Sequence, residues 1–176
     1  MPIQPLPHLW LLSDARNDAL LEDALARLPD GSGFVFRHYH LPQEERRARF
    51  EMLRSICRSM NHCTILSGPA ETARHWGADG VYGAPTALDD AADMLRIATA
   101  HDEAEIAAAE RTGADAVMLS PVYATRSHPD GEALGPDRFR ALAGSTRLPV
   151  IALGGMTPER ARTLGVSRWA AIDGLS

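Results

Sequence analysis

Cysteine is scarce: the chain of 176 residues has only Cys57 and Cys63, six positions apart. A pair so placed cannot by itself build a disulfide scaffold or a zinc site, and it reads as two reduced, partly buried thiols. No segment approaches the roughly 20 apolar residues of a membrane span. The opening MPIQPLPHLWLLSD lacks a basic region followed by an apolar run of signal-peptide length, so no membrane partner is expected and the cytoplasm is the default location. Basic excess is missing too. A net charge of -5 argues against a nucleic-acid partner, because a polyanion needs a clustered basic stripe. The Arg-rich run Glu44 to Arg49 mixes signs and reads as the solvated face of a helix. No low-complexity segment or flexible linker marks a boundary, so residues 1–176 read as one domain.

What the chain does have is rhythm. Short apolar runs ending in Gly, Asp, Ser, Pro or Thr alternate with amphipathic stretches. Strands are predicted near Leu9–Leu12, Gly33–Arg37, Cys63–Leu66, Gly80–Tyr82, Leu95–Thr99, Ala116–Leu119, Val150–Leu153 and Trp169–Ile172. Helices fit at Ala19–Leu28, Gln43–Met60, Ala70–Trp76, Leu88–Asp93, Asp102–Thr112, Pro136–Ala143 and Pro158–Leu164, the last capped by Thr157 with Pro158 where a missing N–H costs nothing. Eight βα units with right-handed crossovers predict an α/β fold, a (βα)8 TIM barrel shortened by the lack of a final helix. A doubly wound sheet fits less well, since no G-x-G-x-x-G follows the first strand. The missing helix should bare apolar surface at the barrel seam, from which a homo-oligomer is expected.

In such a barrel the working residues lie at the carboxyl ends of the strands. The seventh ends in Gly154-Gly155, where backbone N–H groups can approach an anion, and the eighth leads into Asp173-Gly174. The loops after these two strands are the usual phosphate cradle, so a small phosphorylated molecule is the expected partner; a tight turn is the plainer explanation of the glycine pair. The sixth strand opens into a long polar loop, Ser120 to Gly131, holding Thr125, Arg126 and His128. His101 and His128 stand on carboxyl-end loops as candidate general acids or bases. On the second strand, period two puts Val35, Arg37 and Tyr39 on the inward face, and Arg37 needs an anionic partner, either a ligand phosphate or a barrel carboxylate. His38 and His40 have a spacing that can bind zinc from one strand face, with no third ligand in view.

Gly77-Ala78-Asp79-Gly80-Val81-Tyr82, then Gly113-Ala114-Asp115-Ala116 leading to Ser120-Pro121-Val122-Tyr123, then Leu134-Gly135 and Leu148 to Pro158 resemble the thiamine phosphate synthase and TenI family. The match is strongest from Gly77 to Pro158. The resemblance implies a (βα)8 barrel of thiamine metabolism. It also implies either a magnesium-dependent transferase joining a pyrimidine diphosphate to a thiazole phosphate, or a TenI-type isomerase of the thiazole precursor. By the same resemblance the phosphate-binding glycines fall on Gly154 and Gly155, and the serine after the last strand falls on Asp173. Thr125 matches the threonine of the sixth-strand loop, His128 a diphosphate lysine, Thr99 the serine after the fifth strand, and His101 a histidine two residues later.

Elsewhere the family pattern is not kept. Its second-strand Gln-Leu-Arg-x-Lys is here Val35-Phe36-Arg37-His38-Tyr39. The magnesium carboxylates align with Gly68 and Ala87, and the tautomerase histidine aligns with Pro121. Magnesium is thus implied by the family while its ligands are absent; Asp89 and Asp90 are the nearby carboxylates that a reshaped loop could bring in. The expectation is a family barrel that binds a phosphorylated thiazole- or pyrimidine-type ligand through Gly154, Gly155, Gly174, Arg37, Thr125 and Thr99, with standard synthase chemistry in doubt. A non-catalytic ligand- or partner-binding barrel and a different phosphate-handling isomerase, using His128 or Asp173 as base, stay open.

Overall fold

The computed structural model describes residues 5–127 and 129–176. Met1 to Gln4 and the candidate base His128 lie outside the described residues. Eight parallel strands close on themselves: β1 (Leu9–Leu12), β2 (Gly33–Phe36), β3 (Cys63–Ser67), β4 (Gly80–Gly83), β5 (Leu95–Ala100), β6 (Ala116–Leu119), β7 (Val150–Leu153) and β8 (Trp169–Ala171). The ring is sealed by β1 against β8, with Leu9 opposite Trp169. Among the described residues six α-helices surround it: α1 (Leu21–Arg27), α2 (Gln43–Ser59), α3 (Ala70–Trp76), α4 (Glu103–Arg111), α5 (Gly135–Gly144) and α6 (Pro158–Leu164).

Period two sorts the strand side chains into two layers. Trp10, Leu12, Val35, Ile65, Ile97, Met118 and Ile151 pack together inside the barrel. Their neighbours Leu11, Phe34, Phe36 and Leu66 point outward against α1, α2 and α3. The barrel is therefore a filled core rather than a pore. Gly33 is required by that filling, because a Cβ there would lie 2.1 Å from the Trp10 ring. The Trp10 indole Nε1 donates to the Pro7 carbonyl at 2.9 Å, so the one polar atom it buries has a partner.

The predicted helix Leu88–Asp93 is two 3-10 turns instead, Pro85–Ala87 and Asp89–Ala91. Pro85 and the short span between β4 and β5 leave no room for a full helix, and Leu88 and Ala91 anchor the segment by burial. The Arg74 guanidinium ties it down from outside, bonding the Asp93 carboxylate and the Asp90 carbonyl. After β8 comes a 3-10 turn, Asp173–Leu175, whose Leu175 packs on the outer core. The large apolar side chains left most exposed among the described residues are Leu20, Tyr39 and Met52, none of them on β8. No helix among the described residues is long and apolar enough to cross a membrane.

Candidate functional site

The carboxyl ends of the strands frame one cavity of about 610 Å³. Arg37, Thr99, His101, Thr125, Gly154, Gly155 and Gly174 all line it, although they are spread from the second strand to the last. Every site residue expected from sequence that the structure describes is in this lining. The lining also holds Arg16, Tyr82, Arg126, Ser127, Glu132 and Asp173.

At the glycine corner, Gly154 and Gly155 have φ of 110° and 61°, a backbone that favours glycine. The plainer explanation of the pair, a tight turn, holds. A Cβ on Gly154 would stand 2.6 Å from the Pro121 Cα, and one on Gly155 would stand 2.8 Å from the Ala124 carbonyl. Glycine is thus demanded by the close packing of the β7–α6 turn against the β6–α5 loop. The loop is strapped on by backbone bonds, Val122 N–H to the Leu153 carbonyl at 2.9 Å and Tyr123 N–H to the Gly154 carbonyl at 3.0 Å. The pairing of Leu153 with Ala170 turns the Gly154 N–H toward β8, whereas the Gly155 N–H meets no acceptor among the described residues. Backbone N–H groups left unpaired at a cavity wall are what an anion needs. Just beyond, Thr157 caps α6 by accepting from the Arg160 N–H at 3.2 Å, as its sequence position predicts. The Arg160 guanidinium lies 4.6 Å from the centre of the Tyr123 ring.

The opposite corner is arranged differently. Arg37 finds the barrel carboxylate: its Nη2 donates to Asp14 at 3.0 Å and its Nε to the Ser13 carbonyl at 2.8 Å. Strand β2 stops at Phe36, since the Arg37 N–H turns to the Ser13 hydroxyl and His38 takes a φ of 45°. That break overturns the inward placement of Tyr39, which is 66% exposed with its hydroxyl bonded to the Ser67 hydroxyl. It also turns His38 inward among neighbours. His38 is buried, stacked on Phe36, with Nδ1 on the Ser13 hydroxyl at 2.8 Å and Nε2 on Asp18 at 2.6 Å. Both ring nitrogens are committed, so the His38/His40 pair offers no zinc face. Burial holds the His38 pKa below that of a free imidazole, against the pull of Asp18.

Magnesium does not fit the residues where the family would hold it. Gly68 and Ala87 carry no donor, and Asp89 and Asp90 do not line the cavity. Among the described residues no group of three or more His, Cys, Asp or Glu side chains could hold a metal ion. A guanidinium lies there instead. Arg46 donates to the Arg37 carbonyl at 2.8 Å and the Ser67 carbonyl at 2.7 Å. Its Cζ lies 5.7, 5.7 and 5.6 Å from the Phe36, Tyr39 and Trp76 ring centres.

Two further groups shape the cavity. Tyr82, on the inward face of β4, has its hydroxyl pushed up to about 12 by burial, so it stays a neutral phenol. Period two would have found it, because Gly80 and Tyr82 share a face. His101 sits on the rim, with Nδ1 2.7 Å from Glu105, which also accepts from the His101 backbone N–H at 2.6 Å. Thr125 accepts from the Ser127 N–H at 3.1 Å. Arg16 carried no sequence signal, because its β1–α1 turn has no motif and only the closed ring brings it beside β8.

The profile of the family described as thiamine monophosphate synthase matches residues 10–175, nearly the whole chain. The chain belongs to the thiamine monophosphate synthase family. Among its relatives, the thiamine-phosphate synthase of Geobacillus thermodenitrificans is 30% identical over 95% of this chain and 80% of the relative. The thiamine biosynthesis bifunctional protein ThiM/ThiE of Symbiobacterium thermophilum is 34% identical over 72% of this chain, which spans only 28% of that longer protein. The solved thiamine phosphate pyrophosphorylase of Pyrococcus furiosus superposes with a TM-score of 0.78 at 25% identity, covering 94% of this chain and 85% of the other. This member of the family contains no lysine: all 18 of its Lys and Arg positions are arginine. Every permanent side-chain cation at its cavity is therefore a guanidinium.

Proposed function

We propose that this family member binds a small phosphorylated heterocycle of thiazole or pyrimidine type in the cavity, as part of thiamine metabolism, and does not perform the metal-dependent synthase reaction. One observation carries the reading: seven residues singled out from sequence meet around one cavity, and its glycine wall includes the Gly155 N–H, which meets no acceptor among the described residues. The phosphate would take the Gly155 N–H at the glycine turn, with Gly174 packed close beside it against the Met156 carbonyl. The ring would lie against Pro121, Leu153, Met156 and Ile172, which give the same cavity an apolar side. Thr99, Thr125 and the neutral Tyr82 hydroxyl supply directional hydrogen bonds, and Arg37 contributes positive charge at the far wall.

Thermal shift tests this directly, since a ligand at 100 times its dissociation constant adds about 2.7 kcal/mol of stability. Thiamine phosphate or thiazole phosphate should raise the melting temperature; no shift with either, at millimolar concentration, would remove the reading. The His101–Glu105 pair supports a second reading, a phosphate-handling isomerase, because a carboxylate-oriented imidazole on a cavity rim is suited to proton transfer. Turnover of a bound thiazole phosphate that is lost in His101→Gln would favour it. Self-association belongs to the same proposal, with Leu20 and Met52 half-exposed on the helical surface, and sedimentation velocity at rising concentration tests it.

A further inference from the structure

The glycine corner contains a carboxylate that ought to oppose its ligand. Asp173 stands two residues after β8, beside Gly174, and lines the cavity with Gly154 and Gly155. A carboxylate can donate no hydrogen bond when ionised, and it repels a phosphate across a few ångströms even at the effective dielectric of a protein surface.

The structure supplies a remedy from the other end of the chain. Arg16, in the turn between β1 and α1, reaches across the sealed ring to Asp173, with Nε 3.4 Å from Oδ1 and Nη2 3.2 Å from Oδ2. The same Nη2 donates to the Ser127 hydroxyl at 3.2 Å, and Nη1 lies 3.5 Å from Asp14. One guanidinium thereby joins the loops after β1, β6 and β8, all at the cavity. Its contacts are long beside the roughly 2.7–2.9 Å of a tight charge-assisted bond. The side chain is aimed, but its five donors are not saturated. Its exposure of 29% leaves it open to a ligand.

We propose that Arg16 is a phosphate-recognising residue of this cavity and that Asp173 is its positioning counter-ion. The pair replaces a neutral hydroxyl donor with a cation whose charge is balanced until ligand arrives. A phosphate monoester then accepts from Arg16 as well as from the Gly155 N–H, and Asp173 keeps the guanidinium from swinging into solvent. This rests on the phosphate-binding reading of the cavity.

The test compares thiamine phosphate with thiamine, two probes that differ only in the phosphate, by calorimetric titration of the full chain. Wild type should prefer thiamine phosphate. Arg16→Ala should weaken thiamine phosphate about 10- to 100-fold, the range of a lost bond to a charged group, while leaving thiamine within twofold. Adding Asp173→Ser to Arg16→Ala should recover at least tenfold, because the unpaired carboxylate is then gone. Arg16→Gln, which keeps the side chain's bulk, serves if Arg16→Ala melts early, and it should show the same selective loss. Preserved phosphate preference in both Arg16 variants, equal loss of both probes, or no recovery in the double variant would overturn the proposal while sparing the cavity reading. A wild type that does not distinguish the probes would overturn both.

Discussion

The mouth of this barrel has two corners built from similar materials to opposite effect. Between β6 and β8, a tight glycine turn at the cavity wall has one backbone donor, the Gly155 N–H, with no acceptor among the described residues. Between β2 and β4, the polar groups answer one another. Arg37 is held by Asp14 and the Ser13 carbonyl, Arg46 by two carbonyls and three aromatic rings, Tyr39 by Ser67, and His38 by Ser13 and Asp18. The difference lies in where hydrogen bonds end. A corner whose donors already have partners must break them to hold a ligand, whereas unpaired donors gain by binding one.

The largest effect that could break this contrast is catalytic. Given a pyrimidine diphosphate, a thiazole phosphate and magnesium, the protein should form thiamine phosphate no faster than a heat-denatured control. Losing one oxyanion contact alone costs about 10²- to 10³-fold, and here the metal carboxylates and the second-strand lysine are all missing. A magnesium-dependent product signal in a coupled assay would show that the closed corner opens. Gly68→Asp should not rescue the reaction, because a Cβ at Gly68 lies 3.9 Å from an Arg46 guanidinium nitrogen and the new carboxylate would pair with it.

At the open corner, Gly155→Val should abolish the thermal shift given by thiamine phosphate. It should also lower stability by about 1–3 kcal/mol, since a branched side chain at φ 61° is strained and strikes the Ala124 carbonyl. Denaturant titration with and without ligand measures both effects, and an unchanged shift would mean that the phosphate binds elsewhere. A smaller loss, about 1 kcal/mol, is expected for Thr157→Ala, which uncaps α6 beneath the same turn.

The closed corner should show itself through pH. His38 has a folded pKa below the unfolded 6.5, so the unfolded chain takes up the proton first. Its contribution is full above pH 6.5 and is lost as pH falls from there through the folded value. The melting temperature should therefore drop on acidification below pH 6.5, and His38→Gln should flatten that slope. Asp18, held below its usual 3.8 by His38 and Arg49 despite burial, adds a second loss at lower pH still. An identical slope in the variant would detach His38 from the effect.

Much of the fold was legible because periodicity is a local property. Short apolar runs bounded by turn residues marked all eight strands, and the Thr157-Pro158 start of α6 could be read directly. The segment after β4 was not, since Leu88 and Asp93 have helical composition but too short a span to use it. Of the cavity lining, Gly154 and Gly155 were singled out by their place at a strand end, and Thr99 and Thr125 by the family resemblance. Tyr39 was misplaced because period two was carried past the point where β2 ends.

The sequence by itself determined the barrel and the family, both of which follow from residue type and order. Only the tertiary structure decided what the remaining charges do. That Arg37 turns to Asp14 and Arg46 lies beside Gly68 depends on the pairing of β1 with β2 and of β2 with β3, and only ring closure brings Arg16 to Asp173 from 157 positions away. The physical reason is reach. A side chain's period is set by its own backbone, but its partner is set by whichever strand the closed sheet brings alongside.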